Sequence, residues 1–273
     1  MIPHSDALLR LLRDDDPSTL QLVKGQLAHS PSATLPELRV LLEAADPVAS
    51  RHLRDVISAI EKREAQAAFL ALCAGFGEHD DLEDAAWRLA AACAEPGDFH
   101  RERGVLDTWG AEVRRRMRQA DEEVDRIETL VEFLGDDVGL RGNTDDYYTI
   151  ENSLLPEVID TRLGIPITLS LVYMFVARRA RLDFQGVGLP GHFIVRAGEH
   201  FFDPFHGGRR LRLDDCRVLV EQQQMVLTAQ HLRPATPRQM LIRMLGNIYC
   251  VAEENDPPMA EKVQAWIGAL HSK

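Results

Sequence analysis

The run from Asn152 to Phe205 restricts the fold of this chain more than any other. It joins two helical segments through Gly164-Ile165-Pro166 and then enters a pair of short β-like runs. Glycine suits the left-handed cap that ends a helix, and proline suits the first turn of the next, where its missing N–H has no helical partner to lose. The second helix, to about Arg181, is apolar on nearly every side (Leu169, Leu171, Val172, Met174, Phe175, Val176), which predicts a central position packed on several faces. Ahead of the break, Asn152 or Ser153 is placed to cap a short helix with Pro156 near its first turn and Gly164 at its end. Beyond the long helix, Phe184 to Leu189, Phe193 to Arg196 and His200 to Phe205 read as strands, with Ala197-Gly198-Glu199-His200 as a tight turn. If Gly198 and Glu199 form the loop, residue 197 faces 200, and His192 and Asp203 lie diagonally on one face. A slip of one residue sends them to opposite faces.

A helix followed by a hairpin bearing His and then Asp is a layout used by thiol hydrolases and transferases, in which the helix start carries the nucleophile. The positive end of the helix dipole and a neighbouring imidazole favour a thiolate there. Here the helix start reads Gly164-Ile165-Pro166-Ile167, with no cysteine. Thr168 and Ser170 carry hydroxyls in the first turns, but a hydroxyl needs stronger activation than a thiol. The commoner use of such hydroxyls is to bond nearby backbone. Cys216 is a weaker candidate still. His192 is read either as a general base oriented by Asp203 or as a hairpin residue beside a turn cap. Asn152, Glu157, Asp160 and Arg162 either line a cleft beside His192 or serve as caps and ion pairs of their own helix. Phe193 and Phe205 flank the pair. Gly188, Gly191, Gly207 and Gly208 lack the strand-to-helix setting of a phosphate loop and are assigned to turns.

Composition narrows the partners. With 31 basic and 43 acidic residues the net charge is -12, which disfavours nucleic acid, whose binding rests on basic surface. The four cysteines are far apart, with no CxxC pair and no His at zinc-ligand spacing, so neither a metal nor a cofactor is expected. No apolar run approaches the ~20 residues of a membrane span. The expectation is a soluble, cytoplasmic protein with reduced thiols.

The flanks read as helical. Leu11-Leu12-Arg13-Asp14-Asp15-Asp16-Pro17 recurs as Leu41-Leu42-Glu43-Ala44-Ala45-Asp46-Pro47, 30 positions on. Two helices per ~30–45 residues suit either a HEAT-like solenoid or an irregular bundle. Helices continue through 63–94, with a break at Gly75-Phe76-Gly77 and a stop at Glu95-Pro96-Gly97-Asp98. One long amphipathic helix is expected from about Leu106 to Leu134, ended by Gly135-Asp136-Asp137. Residues 217–228 read as a helix. Two last helices, 238–254 and about 258–270, are joined by Asn255-Asp256-Pro257-Pro258.

From Tyr147 to Cys216 the chain resembles the transglutaminase-like domain of the bacterial SirB-type family. The likeness lies in YYTIENSLLPEVIDTRLGIPITLSLVYMFVARR, GVGLPGHFIVR and FFDPFHGGRRL. The resemblance implies an α+β, mostly helical protein with a papain-like or transglutaminase-like core, in which a central helix packs on a small antiparallel sheet. It further implies a helical N-terminal flank over 1–135, the core over 136–235 and a tetratricopeptide-like hairpin over 236–273. By motif, His192 and Asp203 take the second and third places of a Cys-His-Asp set, and Ile167 takes the first. The function expected is a non-catalytic binding or regulatory module for a protein or peptide partner. The alternatives are a hydrolase or amidase using His192 and Asp203 with water or a hydroxyl, and a helical-repeat scaffold with an inert core.

Overall fold

The computed structural model describes residues 5–13, 16–94 and 97–272. Asp14 and Asp15 of the repeated motif and Glu95-Pro96 of the expected stop lie outside them. The chain divides into two compact units, residues 1–69 with 91–97, and residues 70–90 with 98–273.

In the first unit, α1 (Ser5–Leu11), α2 (Pro17–Ala28), α3 (Leu35–Ala44) and the first part of α4 (Pro47–Gly75) follow one another. The repeated Asp-Pro motif works twice in the same way. Asp16 accepts from the Ser18 and Thr19 N–H groups at the start of α2, and Asp46 accepts from Val48 and Ala49 at the start of α4. Each carboxylate satisfies first-turn donors that have no helical partner. Leu12, Leu38, Leu53, Val56 and Ile60 fill the core of this unit.

The second unit contains α5 (Leu82–Cys93) in its greater part, α6 (His100–Arg116), α7 (Glu123–Glu132) and all later elements. Where one long helix was expected over 106–134, the chain breaks between α6 and α7, with Ala120 and Glu122 extended. Charge explains the break. Arg114, Arg115 and Arg116 crowd the negative end of α6, while Glu123 and Asp125 occupy the positive start of α7. Strand β1 (Arg141–Gly142) then pairs in parallel with β2 (Leu163–Gly164), with α8 (Leu155–Thr161) in the crossover.

Two details of this crossover differ from expectation. No side chain caps α8: its N-cap is Leu154, and Asn152 is buried one turn earlier. The helix ends at Arg162, whose positive φ lets its N–H reach the Val158 carbonyl, two residues ahead of Gly164. Gly164 is needed instead for close approach, since a Cβ there would lie 2.9 Å from the Val158 side chain.

Helix α9 (Pro166–Ala180) is the centre of the unit. Of its side chains only those of Met174, Arg178 and Arg179 escape full burial, and it packs against α6, α8 and the sheet. Arg181 closes it in a left-handed cap, with Leu182 N–H bonded to the Ala177 carbonyl. Arg179 grips the buried Glu83 of α5 with two bonds of 2.8 Å each, and Arg178 joins the same carboxylate.

The sheet is an antiparallel meander of β3 (Gln185–Leu189), β4 (His192–Ala197), β5 (His200–Asp203) and β6 (Arg209–Leu211). Ala197 pairs with His200, the register anticipated from the turn. Helix α10 (Leu213–Glu221) is shorter than expected. Gln224, at φ 57°, ends it in a Schellman turn, with Gln224 N–H on Glu221 and Met225 N–H on Val220. This turn lays the Gln223 side chain over Gly191, where a Cβ would come within 2.5 Å of it. Finally α11 (Pro237–Asn255) and α12 (Pro257–His271) form a hairpin, each N-capped by its Thr or Asp. Among the described residues no helix is long and apolar enough to cross a membrane.

Candidate functional site

The site is built where β5 ends. Asp203 leaves the strand, Pro204 fixes the next turn, and a 3₁₀ turn over Pro204–His206 folds residue 206 back over residue 203. Gly207 and Gly208, both at positive φ, close it, and Gly208 N–H returns to the Asp203 carbonyl at 2.8 Å. At Gly208 a Cβ would stand 2.6 Å from Val131, so conformation and space both require glycine.

Asp203 is fully buried, and its carboxylate receives three donors. His192 Nε2 donates to Oδ2 at 3.0 Å, His206 Nδ1 donates to the same oxygen at 2.7 Å, and Phe205 N–H donates to Oδ1 at 3.1 Å. Burial alone pushes this carboxyl upward, but the bonds from His192 and His206 outweigh it and hold the group below its ordinary range. His192 is 9 % exposed, and its ring meets Phe205 edge-on with centroids 6.0 Å apart. Phe205, half-buried, lies against Gly142, where a Cβ would come within 2.3 Å of the ring, and the Tyr147 ring meets it at a steep angle with centroids 6.0 Å apart. While Nε2 is bonded to Asp203, Nδ1 is the nitrogen of His192 left for a nucleophile or a water.

The other residues singled out in the sequence are placed as follows. Ile167, expected at the nucleophile position, is 1 % exposed. Ser170 Oγ donates to the Pro166 carbonyl within its own helix, and Thr168 is buried with its Oγ1 unpartnered. Neither hydroxyl bonds to His192. Cys216 sits in the core beneath β3 with Val187 and Ile194, and burial pushes its thiol up to about 11, the opposite of what a nucleophile needs.

Asn152 braces the loop before α8: it accepts from Asn143 and donates to the carbonyls of Asp146 and Tyr147. Arg162 lies with its guanidinium 4.7 Å from the Trp109 ring centroid, and burial lowers its pKa. Glu157 is half-buried on α8. Phe193, pointing away from His192 on the strand, lines a cleft of about 730 Å³ with Gly188, His231, Arg233 and Arg243. Among the described residues no acidic side chain lines this cleft.

Sequence reasoning overlooked His206. Its signal was the spacing Asp-Pro-Phe-His, in which a proline turn brings residue i+3 back to i. His192, Asp203 and His206 present three donor atoms within 4.8 Å of one another, a set able to hold a metal ion. It also overlooked the basic lining of the cleft, because Phe193 and Arg243 meet only in the folded chain.

Comparison with known proteins adds the following. Residues 101–246 match the transglutaminase-like superfamily. A UPF0162 protein of Xylella fastidiosa is 38 % identical over 134 residues, 45 % of this chain and 48 % of that protein. A UPF0162 protein of Pseudomonas aeruginosa is 36 % identical over 123 residues, 42 % of this chain and 45 % of that one. F-box only protein 21 of Mus musculus is 31 % identical over 134 residues, 45 % of this chain and 21 % of its own length. The chain therefore matches less than half the length of each of these relatives. No solved structure matches.

Proposed function

The chain belongs to the transglutaminase-like superfamily, and from that premise we propose that it is a non-catalytic binding or regulatory module for a protein or peptide partner. The observation that carries this reading is the helix start. Ile167 stands where the superfamily layout calls for the thiol and is sealed at 1 % exposure, while Thr168 and Ser170 turn their hydroxyls into the core. Acyl transfer through a thiol has no thiol to use there.

The cleft beside Phe193 supplies the binding surface. Its charged lining, Arg233 and Arg243 with His231, is basic in a chain whose net charge is -12. Neither arginine forms an ion pair with a carboxylate among the described residues, so both are available to an acidic segment of a partner. Arginine favours carboxylates through its planar, forked donors.

The test is anisotropy titration with acidic peptides selected from a random library. The combined change Arg233→Glu/Arg243→Glu is expected to weaken binding at least about tenfold, and His192→Ala to leave it within about twofold. Equal binding by the charge-reversed variant overturns the reading. The His192–Asp203 bond favours a second reading, a hydrolase in which His192 activates water. Peptide turnover that is lost in His192→Ala would establish it.

A further inference from the structure

We propose that His192, Asp203 and His206 bind one divalent transition-metal ion, zinc in the first instance, through Nε2, Oδ2 and Nδ1 respectively. This inference is independent of what occupies the cleft beside Phe193.

The donor set itself comes first. Two imidazoles and one carboxylate form a nitrogen and oxygen site of the kind used for zinc or ferrous ions that keep open coordination positions. The geometry is close to what an ion needs. Bonds of ~2.0–2.1 Å at tetrahedral angles space donor atoms by roughly 3.3 Å. Here the two imidazole nitrogens lie 3.0 and 2.7 Å from the shared carboxylate oxygen. Since no two donors are more than 4.8 Å apart, the longest edge closes by at most about 1.5 Å. Rotation of the His206 side chain, 53 % exposed, accommodates a shift of that order.

The carboxylate is also oriented as a metal ligand should be. Oδ1 is held by the Phe205 N–H, so Oδ2 is the atom turned towards both imidazoles. The backbone of the 203–208 turn is fixed independently by Gly208 N–H on Asp203 and Gly207 N–H on Pro204. Two histidines directed at one oxygen are more than a triad needs, because a single imidazole already receives its orientation from one carboxylate. Entry is from the His206 side, and the ion's remaining positions face solvent there, open to water or to a partner's carboxylate or imidazole.

The test uses the full chain, freed of metal by chelation and titrated with Zn²⁺ by calorimetry and with Co²⁺ by visible absorption. The wild type is expected to take up one equivalent of Zn²⁺, to rise in Tm with it, and to give saturable Co²⁺ bands without the intense absorption of a thiolate ligand. His206→Ala, at an exposed position, is expected to weaken binding by at least about 10–100-fold while the apo protein stays folded by circular dichroism. His192→Gln, with its fold checked by circular dichroism, is expected to do the same. His100→Ala, on an exposed side chain of α6, serves as the control and should bind as the wild type does. Failure to reach a one-to-one complex, or undiminished affinity in His206→Ala, overturns the proposal.

Discussion

Helix α9 and the turn after strand β5 pack against each other, yet the start of that helix and the turn carry opposite kinds of side chain. At the helix start Ile165, Pro166, Ile167 and Thr168 are all buried, and none of their side chains makes a hydrogen bond among the described residues. At the turn, a buried carboxylate receives three donors, and one of the two imidazoles reaches solvent. A catalytic triad needs polar groups on both sides. Here the hairpin side has them, while the hydroxyls of Thr168 and Ser170 on the helix side are buried in core and neither bonds to His192. Packing and polar chemistry have thus been allotted to different elements, and they can be broken separately.

Substitution at the helix start should have the largest effect on stability. Ile167→Ala removes buried methyl groups and leaves a cavity, so a loss of about 3 kcal/mol is expected in urea unfolding, against about 1 kcal/mol for Ile167→Val. A change under about 0.5 kcal/mol for Ile167→Ala would mean that the helix start is not core and that the contrast fails.

Asp203→Ala comes next. It leaves the Phe205 N–H and two imidazole donors without their acceptor, at a cost of about 2–3 kcal/mol. Asp203→Asn should recover part of this, because the amide oxygen still accepts. If both variants unfold like the wild type, the cluster does not hold the turn.

The thiols sharpen the comparison in another way. Burial pushes Cys73 up to about 12 and Cys216 up to about 11, from an ordinary value near 9. Below about pH 9 neither thiol is ionised in either state, and their burial contributes in full. Above it the unfolded chain ionises first, so stability should fall as pH rises towards 11. Urea midpoints at pH 8 and 10.5, with Cys73→Ala/Cys216→Ala as reference, measure this. At pH 8 a small alkylating reagent should modify the exposed Cys250 well before the buried Cys73, Cys93 and Cys216.

Smallest of all, His206→Ala should change unfolding free energy by about 1 kcal/mol, because its side chain is 53 % exposed and Asp203 keeps its other two donors. A loss comparable to that of Ile167→Ala would place the turn in the core and erase the distinction.

Much of this architecture was legible in the sequence because it follows from local chemistry. Pro166 after Gly164, the apolar character of α9, the Gly198-Glu199 loop and the Asp-Pro junctions with proline in the next helix's first turn each act over a few residues, and the structure has each of them. What was not legible depends on distant contact or on a balance of small terms. The division between α6 and α7 turns on charges at helix ends, which a periodicity of apolar residues does not register. Arg162 and Gln224 adopt left-handed caps that sequence reasoning reserves for glycine. Asn152 has the chemistry of a cap, but the loop from Asn143 to Tyr147 claims its amide. The diagonal pair His192 and Asp203 was readable from hairpin register. The third member, His206, required seeing that Pro204 reverses the chain.

The most direct test is a single incubation of the purified protein with a diverse peptide library, read by mass spectrometry for both retained and chemically altered peptides. The account predicts that acidic peptides are retained, that Arg233→Glu/Arg243→Glu releases them, and that none is cleaved or joined to another. Peptides cleaved or cross-linked by the wild type but left intact by His192→Ala would contradict it.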